Sequence, residues 1–271
     1  METPRSNGQG YTRRDALQMS AAGLGALAAM GMTRGVRAAP TCATTGSATE
    51  GPYWVDEMLL RSDIRSDPST GVVKPGLPMR MVINVSEYSS SGCTPVSGCY
   101  VDVWHCDASG VYSDVNAGGN GNTLGQQFLR GYQVTDAHGN ARFLTIYPGW
   151  YSGRAVHIHY RIRKFNASGG TTFNFVSQLA FDDSVTSGIF TRVAPYTTRP
   201  NPDTTFTTDN ILTSQMKLRL SDNGDHAVAS FNAVINAVSG TPITLNGQEM
   251  DEDSLDHLND FGGGTPRFAI A

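Results

Sequence analysis

Met79, Met81, Ile83 and Val85 stand at every second position between Gly76 and Glu87, a period of two that a strand uses to bury one of its faces. Further apolar runs follow at short intervals: Tyr100–His105, Gly131–Thr135, Ala141–Ile146, His157–Arg163 and Phe173–Phe181. Turn residues separate them. Asp107-Ala108-Ser109-Gly110 and Asn166-Ala167-Ser168-Gly169-Gly170 read as reversals, and Asp136-Ala137-His138-Gly139-Asn140 as a hairpin turn with a glycine free to take a left-handed position. Met216–Leu220 and His226–Ile235 read as a closing hairpin around Asp222-Asn223-Gly224-Asp225. Short strands at this spacing specify an all-β fold, a β-sandwich of mostly antiparallel strands with long irregular loops. Two of those loops are the Gly/Asn-rich stretch Ser113–Gln126 and the Thr/Pro/Asn-rich stretch 184–210, the latter an excursion over the sandwich.

The two ends of the chain do not share this pattern. Thr12-Arg13-Arg14-Asp15-Ala16-Leu17 is a twin-arginine pair followed by an uncharged, Gly/Ala-rich run and then Val36-Arg37-Ala38. This predicts an export signal over 1–38, cleaved after Ala38, with the mature protein in the periplasm or outside the cell. The uncharged run is short and weakly apolar for a spanning helix, so no membrane partner is expected once the signal is gone. Residues 39–247 would form the sandwich domain. Residues 248–271, with Glu249, Asp251, Glu252, Asp253, Asp256 and Asp260 before Gly262-Gly263-Gly264, read as an acidic, solvated and mobile tail.

Removing the signal takes five arginines and two acids from 20 basic and 24 acidic side chains, leaving 15 and 22 and a formal net charge of −7. That balance argues against nucleic acid as a partner. Four cysteines remain, Cys42, Cys93, Cys99 and Cys106. In an oxidising compartment they can form two disulfides in three pairings, Cys93 and Cys99 being the closest pair that a turn can join, or stay buried as thiols.

Chemistry-bearing residues crowd into the middle of the chain. His157 and His159 sit two apart in a β-prone run, so both imidazoles project from one strand face while Val156, Ile158 and Tyr160 point to the other. Imidazole suits zinc, copper, iron and nickel, and the pair alone does not choose among them. Tyr112 in Gly110-Val111-Tyr112-Ser113, Tyr151 in Pro148-Gly149-Trp150-Tyr151, and Arg154 precede the pair. His105 and His138 fall outside this pattern and read as packing and turn residues.

The ordered set of Tyr112, Pro-Gly-x-Tyr, Arg-x-x-His-x-His and a later Gln178 resembles the intradiol ring-cleavage dioxygenases, the catechol and protocatechuate class of non-haem iron(III) enzymes. The resemblance begins at Thr49-Glu50-Gly51-Pro52-Tyr53, runs through Val101-Asp102-Val103-Trp104-His105-Cys106-Asp107-Ala108 and ends near Phe181. It implies Fe(3+) held by Tyr112, Tyr151, His157 and His159, with Arg154, Tyr151 and Gln178 as catalytic residues and Pro52 and Tyr53 at the substrate pocket. It also implies a small aromatic diol and O2 as substrates and a muconate-type diacid as product. The donor types suit a trivalent ion, because phenol ionises only near pH ~10 in water but a bound cation stabilises its anion. Arg154 stays charged throughout the working range and suits the stabilisation of developing negative charge.

Export points to extracellular aromatic compounds, lignin-derived or plant phenolics, as substrates. Only about ten residues separate Ala38 from Thr49, too few for the helical region through which the catechol branch dimerises, so a monomer or small homo-oligomer is expected. Two other readings use part of the pattern. A cupin-like metal oxygenase with the same histidine pair needs a downstream carboxylate and a further histidine, and a secreted β-sandwich binding module with a degenerate metal site needs neither tyrosine.

Overall fold

The alternation between Gly76 and Glu87 becomes strand β1, Pro78–Ser89, whose Met79, Met81, Ile83 and Val85 are buried while the intervening residues are partly exposed. The computed structural model describes residues 42–236. Residues 1–38, expected to be an export signal, and 248–271, expected to be a mobile tail, lie outside the described residues. After β1 come β2 (Gly92–Pro95), β3 (Tyr100–Trp104), β4 (Asn116–Ala117), β5 (Gly121–Asn122), β6 (Arg130–Val134), β7 (Asn140–Ile146), β8 (His157–Phe165) and β9 (Thr171–Ala180). Helix α1 (Asp183–Arg192) and two short 3-10 turns precede β10 (Arg219–Asp222) and β11 (Ala227–Ile235).

The strands form two main sheets. In the first, β1 is central: β11 runs parallel to it along one edge, while β7 pairs with residues 78–84 and β2 with residues 86–89 in antiparallel register; β10 lies outside β11. The second sheet has the order β6-β3-β8-β9 and is antiparallel throughout. Met79, Met81, Ile83, Phe143 and Phe231 from the first meet Val101, Val103, Ile158, Tyr160, Ile162 and Leu179 from the second in one apolar cluster. Each such side chain withdrawn from water contributes about 1.5–3 kcal/mol. The all-β sandwich expected from the sequence is therefore the fold, with the parallel β1–β11 pair as its one departure from antiparallel order among the named strands.

Several local expectations are corrected. Residues 136–140 do reverse the chain, with the Gly139 amide donating to Asp136 O at 2.9 Å, but β6 pairs with β3 and β7 with β1. The turn carries the chain from one sheet to the other instead of closing a hairpin, because turn chemistry specifies the reversal and leaves the choice of pairing edge to the core faces. Residues 184–210 are not wholly irregular. Helix α1 forms there, with Asp183 in its first turn, Arg192 in its last, and Ile189 and Phe190 buried against the sandwich. The helix is held by this tertiary packing, which local composition does not report. Met216 belongs to a 3-10 turn (Ser214–Met216) and not to β10. Ser113–Gln126 is a loop but contains the small β4–β5 hairpin.

The cysteine expectation also changes. Cys42 and Cys93 are bonded, across 51 residues, whereas Cys99 and Cys106 are buried free thiols. Proximity in sequence misleads here because Cys93 lies on the partly exposed edge strand β2 while Cys99 enters the core just before β3.

Candidate metal centre

Strand β8 is buried on both faces. Ile158, Tyr160 and Ile162 enter the core, so the period of two turns His157 and His159 to the opposite face. There the two Nε2 atoms stand 3.0 Å apart. His157 Nδ1 lies 2.7 Å from the Ala155 carbonyl oxygen, which can only accept, so Nδ1 carries the proton and Nε2 presents a lone pair. Trp104, opposite His159 across the β3–β8 pair, stacks on its ring at 5.0 Å and 10°. Gln178 stands opposite His159 on the β9 side.

The tyrosines arrive from two loops that lie back to back. A Cβ on Gly110 would stand 2.1 Å from Trp150 O, and one on Gly149 would stand 2.5 Å from the carbonyl oxygens of Asp107 and Ala108. Only glycine allows that approach. It brings the Tyr151 hydroxyl to 3.4 Å from His157 Nε2, and the Tyr112 ring to 5.8 Å from that of Tyr151 and 6.1 Å from that of His159. Tyr112 is held from behind by the β4–β5 loop: its amide donates to Asn120 Oδ1 at 2.7 Å, and its carbonyl accepts from Asn120 Nδ2 at 3.1 Å and Thr123 Oγ1 at 2.8 Å.

Arg154 sits beside this group. Its Nε donates to Asp209 Oδ2 at 2.8 Å and its Nη2 to Gln178 Oε1 at 2.6 Å, while Gln178 Nε2 donates to Thr49 O at 2.9 Å. Tyr53 stacks on Tyr112 at 4.4 Å and meets Tyr151 edge-on at 5.7 Å. Seven of the eight residues singled out in the sequence thus lie in one cluster; the eighth, Pro52, is exposed next to Tyr53.

Burial keeps these donors neutral. It pushes the Tyr151 phenol up to about 12, although the Arg154 charge offsets part of the effect, and pushes Tyr112 well above its ordinary value. Burial and then the nearby Arg154 charge lower His157 to about 3; burial and then His157 hold His159 well below the usual imidazole range. The Tyr112 hydroxyl and His159 Nδ1 are buried without a hydrogen-bond partner. Unpartnered buried groups of this kind are costly in a protein interior. Two phenols and two imidazoles that converge here, with the two Nε2 atoms facing each other and the Tyr112 hydroxyl unpartnered, fit a metal ion, which would draw protons from the phenols. Among the described residues no group of three His, Cys, Asp or Glu is placed to hold one, so the tyrosines are needed to complete a ligand set. A cupin-like set, with its carboxylate and additional histidine, is therefore not found among the described residues.

Sequence reading missed Asp209, Asn120 and Trp104 as parts of this site. Asp209 and Asn120 sit in stretches whose composition signals only loop, and the resemblance, though it runs through Val101–Ala108, implies no role for Trp104.

A family model described as "Dioxygenase" matches residues 49–185. Among curated proteins the chain is similar to the chlorocatechol 1,2-dioxygenase of Pseudomonas putida, 25% identical over 165 residues that cover 54% of this chain and 59% of the relative. It is also similar to the chlorocatechol 1,2-dioxygenase of Rhodococcus opacus, 27% identical over 137 residues that cover 44% and 51%. The chain spans about half to three fifths of the length of these curated relatives. Among solved structures, an intradiol ring-cleavage dioxygenase from Tetranychus urticae aligns with a TM-score of 0.61 and 28% identity over 74% of this chain and 98% of that one. With the family model matched over half of its length, through the strands and loops that carry the tyrosines and histidines, the chain belongs to the dioxygenase family, on its intradiol ring-cleavage side.

Proposed function

We propose that this protein uses Fe(3+) to cleave a catechol-type aromatic diol between its two hydroxylated carbons, consuming one O2 and giving a muconate-type diacid that contains both oxygen atoms. The observation that carries the reading is the convergence of Tyr112, Tyr151, His157 and His159, with the two histidine Nε2 atoms face to face and the Tyr112 hydroxyl left unpartnered in a buried site. Those four side chains would hold the ion. Bound there, iron(III) would supply the Lewis acidity that ionises the phenols and the diol and makes the ring carbon reactive toward dioxygen.

The chain's own residues do the rest. The Ala155 carbonyl fixes the His157 tautomer, and Trp104 fixes the His159 ring plane, so neither imidazole has to reorganise. Tyr151 is the less buried of the two phenols and stands beside the Arg154 charge, so its oxygen is the one placed to take a proton from an incoming diol. Arg154, tied on two sides, presents a positive charge that stabilises negative charge building on the ring. Tyr53, stacked on Tyr112 and edge-on to Tyr151, adds an aromatic wall beside the two phenols.

The proposal extends to export by the twin-arginine signal to the periplasm or beyond, as a monomer or small homo-oligomer. The Cys42–Cys93 disulfide supports an oxidising compartment, and among the described residues no helix is long and apolar enough to cross a membrane. The test is the visible spectrum and iron content of the purified protein, before and after catechol is added without oxygen. A red-brown tyrosinate-to-iron(III) band that shifts with catechol is expected. A protein that stays colourless after iron(III) loading would sink the proposal.

A further inference from the structure

The segment 199–212 follows the loop that carries Tyr151 and Arg154 and grips it at three places. Arg199 Nη1 donates to Trp150 O at 3.0 Å, Asp203 accepts from Ser152 Oγ at 2.7 Å and Gly153 N at 3.0 Å, and Asp209 takes hold of Arg154 and Ala155. The third grip differs from the others in being buried: the Asp209 side chain is 1% exposed and that of Arg154 14%. All four of its hydrogen bonds are accepted ones. Oδ2 receives Arg154 Nε at 2.8 Å and Ala155 N at 3.0 Å; Oδ1 receives Ile211 N at 2.8 Å and Leu212 N at 3.1 Å.

We propose that Asp209 is a positioning residue for ring cleavage that fixes the guanidinium of Arg154, so that segment 199–212 sets where that charge points in the site. The inference rests on the ring-cleavage reading above. A buried ion pair adds little net stability once desolvation is counted, so the value of this one lies in what it orients. Ala155 N and Arg154 Nε share a single carboxylate oxygen, which ties the backbone before His157 and the charged head group to one point. With Gln178 holding Nη2, the guanidinium plane is defined from two sides. Burial by itself would raise the Asp209 pKa, but the hydrogen bonds from Arg154 and the amides outweigh it and keep the carboxylate charged.

Asp209→Asn isolates this role. The amide keeps the shape, but whichever way it is turned its NH2 faces N–H donors on one side. The expected result is normal iron content, an unchanged tyrosinate band and anaerobic catechol affinity within about threefold of the parent, with kcat lower by about ten- to a hundredfold, the size of effect that a small misplacement of a catalytic group produces. In an Arg154→Lys background the same substitution should cost far less, because the group it orients is gone. Equal losses in both backgrounds, or a kcat equal to that of the parent, would overturn the role. If Asp209→Asn does not accumulate folded, Asp209→Ala is assayed with and without formate, which should restore kcat by refilling the carboxylate position. Loss of fold in both variants would make Asp209 a folding residue and would also overturn the inference. Failure of the ring-cleavage reading is distinguished because it shows in the parent protein, as absence of the band or of product.

Discussion

Strands β1 and β8 are the long inner strands of their respective sheets, and each turns one face to the same apolar core, yet they differ in what the second face does. On β1 that face is only partly covered, and its residues Arg80, Val82 and Asn84 are half-exposed. On β8 it is buried under the segment that begins near Thr49 and under the two tyrosine loops, and it carries His157, His159, Arg161 and Arg163. Polar groups taken from water need partners. Arg161 pairs with Glu50 and lies 4.1 Å over the Trp54 ring; Arg163 pairs with Asp102 and Asp56. The buried atoms on this face and its surroundings that keep no partner include Arg161 Nε, Trp104 Nε1, His159 Nδ1 and the Tyr112 hydroxyl, and the last two belong to the tyrosine–histidine cluster. Strand β8 is thus stabilised by its first face and carries the candidate site on its second.

The two faces should therefore fail differently. Tyr112→Phe acts on the functional face only: the visible band should weaken and shift, Tyr151 being left as the remaining phenolate, and kcat/KM should fall at least about a thousandfold, roughly 4 kcal/mol of transition-state stabilisation. Stability in the absence of iron should hold or rise, since the substitution removes a buried hydroxyl without a partner. A band unchanged in position and intensity would remove Tyr112 from the ligand set. Ile83→Ala acts on the core face of β1. It should lower unfolding free energy by about 2–5 kcal/mol in a urea titration, while turnover per folded, iron-loaded molecule stays at the parent value. A matching loss of turnover would show that the faces are not separable.

How far the sequence carried this picture follows the same division. Period-two burial on β1 and β7 and the apolar core faces of β3 and β8 were legible because each of those strands buries an apolar face that a pattern of side chains reports directly. The donors Tyr112, Tyr151, His157 and His159 were legible through their order and spacing. The partners that orient them were not. Asn120 and Asp209 reach the site through loop conformation, and nothing in a run of Gly, Asn and Thr says which polar side chain turns inward. The same limit explains the missed sheet crossing at 136–140 and the missed helix at Asp183–Arg192, where contacts with distant strands choose between locally equivalent outcomes.

His105 gives the smallest expected effect and tests the contact between the sheets. It follows β3 of the second sheet, is wholly buried, and reaches Thr145 on β7 of the first: Nδ1 lies 2.9 Å from Cys106 O and Nε2 2.6 Å from Thr145 Oγ1. Because the carbonyl can only accept, Nδ1 is the protonated nitrogen and Nε2 accepts from Thr145, an arrangement that exists only for neutral imidazole. Burial lowers the pKa to about 4, against the opposing pull of the Cys106 carbonyl and Asp107. In the unfolded chain the ring titrates near ~6.5. The folded pKa is the lower one, so protons favour the unfolded state: the contribution of His105 is intact above pH ~6.5 and declines as pH falls toward 4, by about 3 kcal/mol over the whole window. Urea unfolding of the iron-free protein at pH 7 and pH 4.5 should show that decline, and His105→Gln should show it reduced by about 2 kcal/mol. Comparing parent and variant at the same two pH values cancels the titration of His157 and His159, which is common to both. Identical pH dependence in parent and variant would mean that His105 is not the neutral bridge between the sheets.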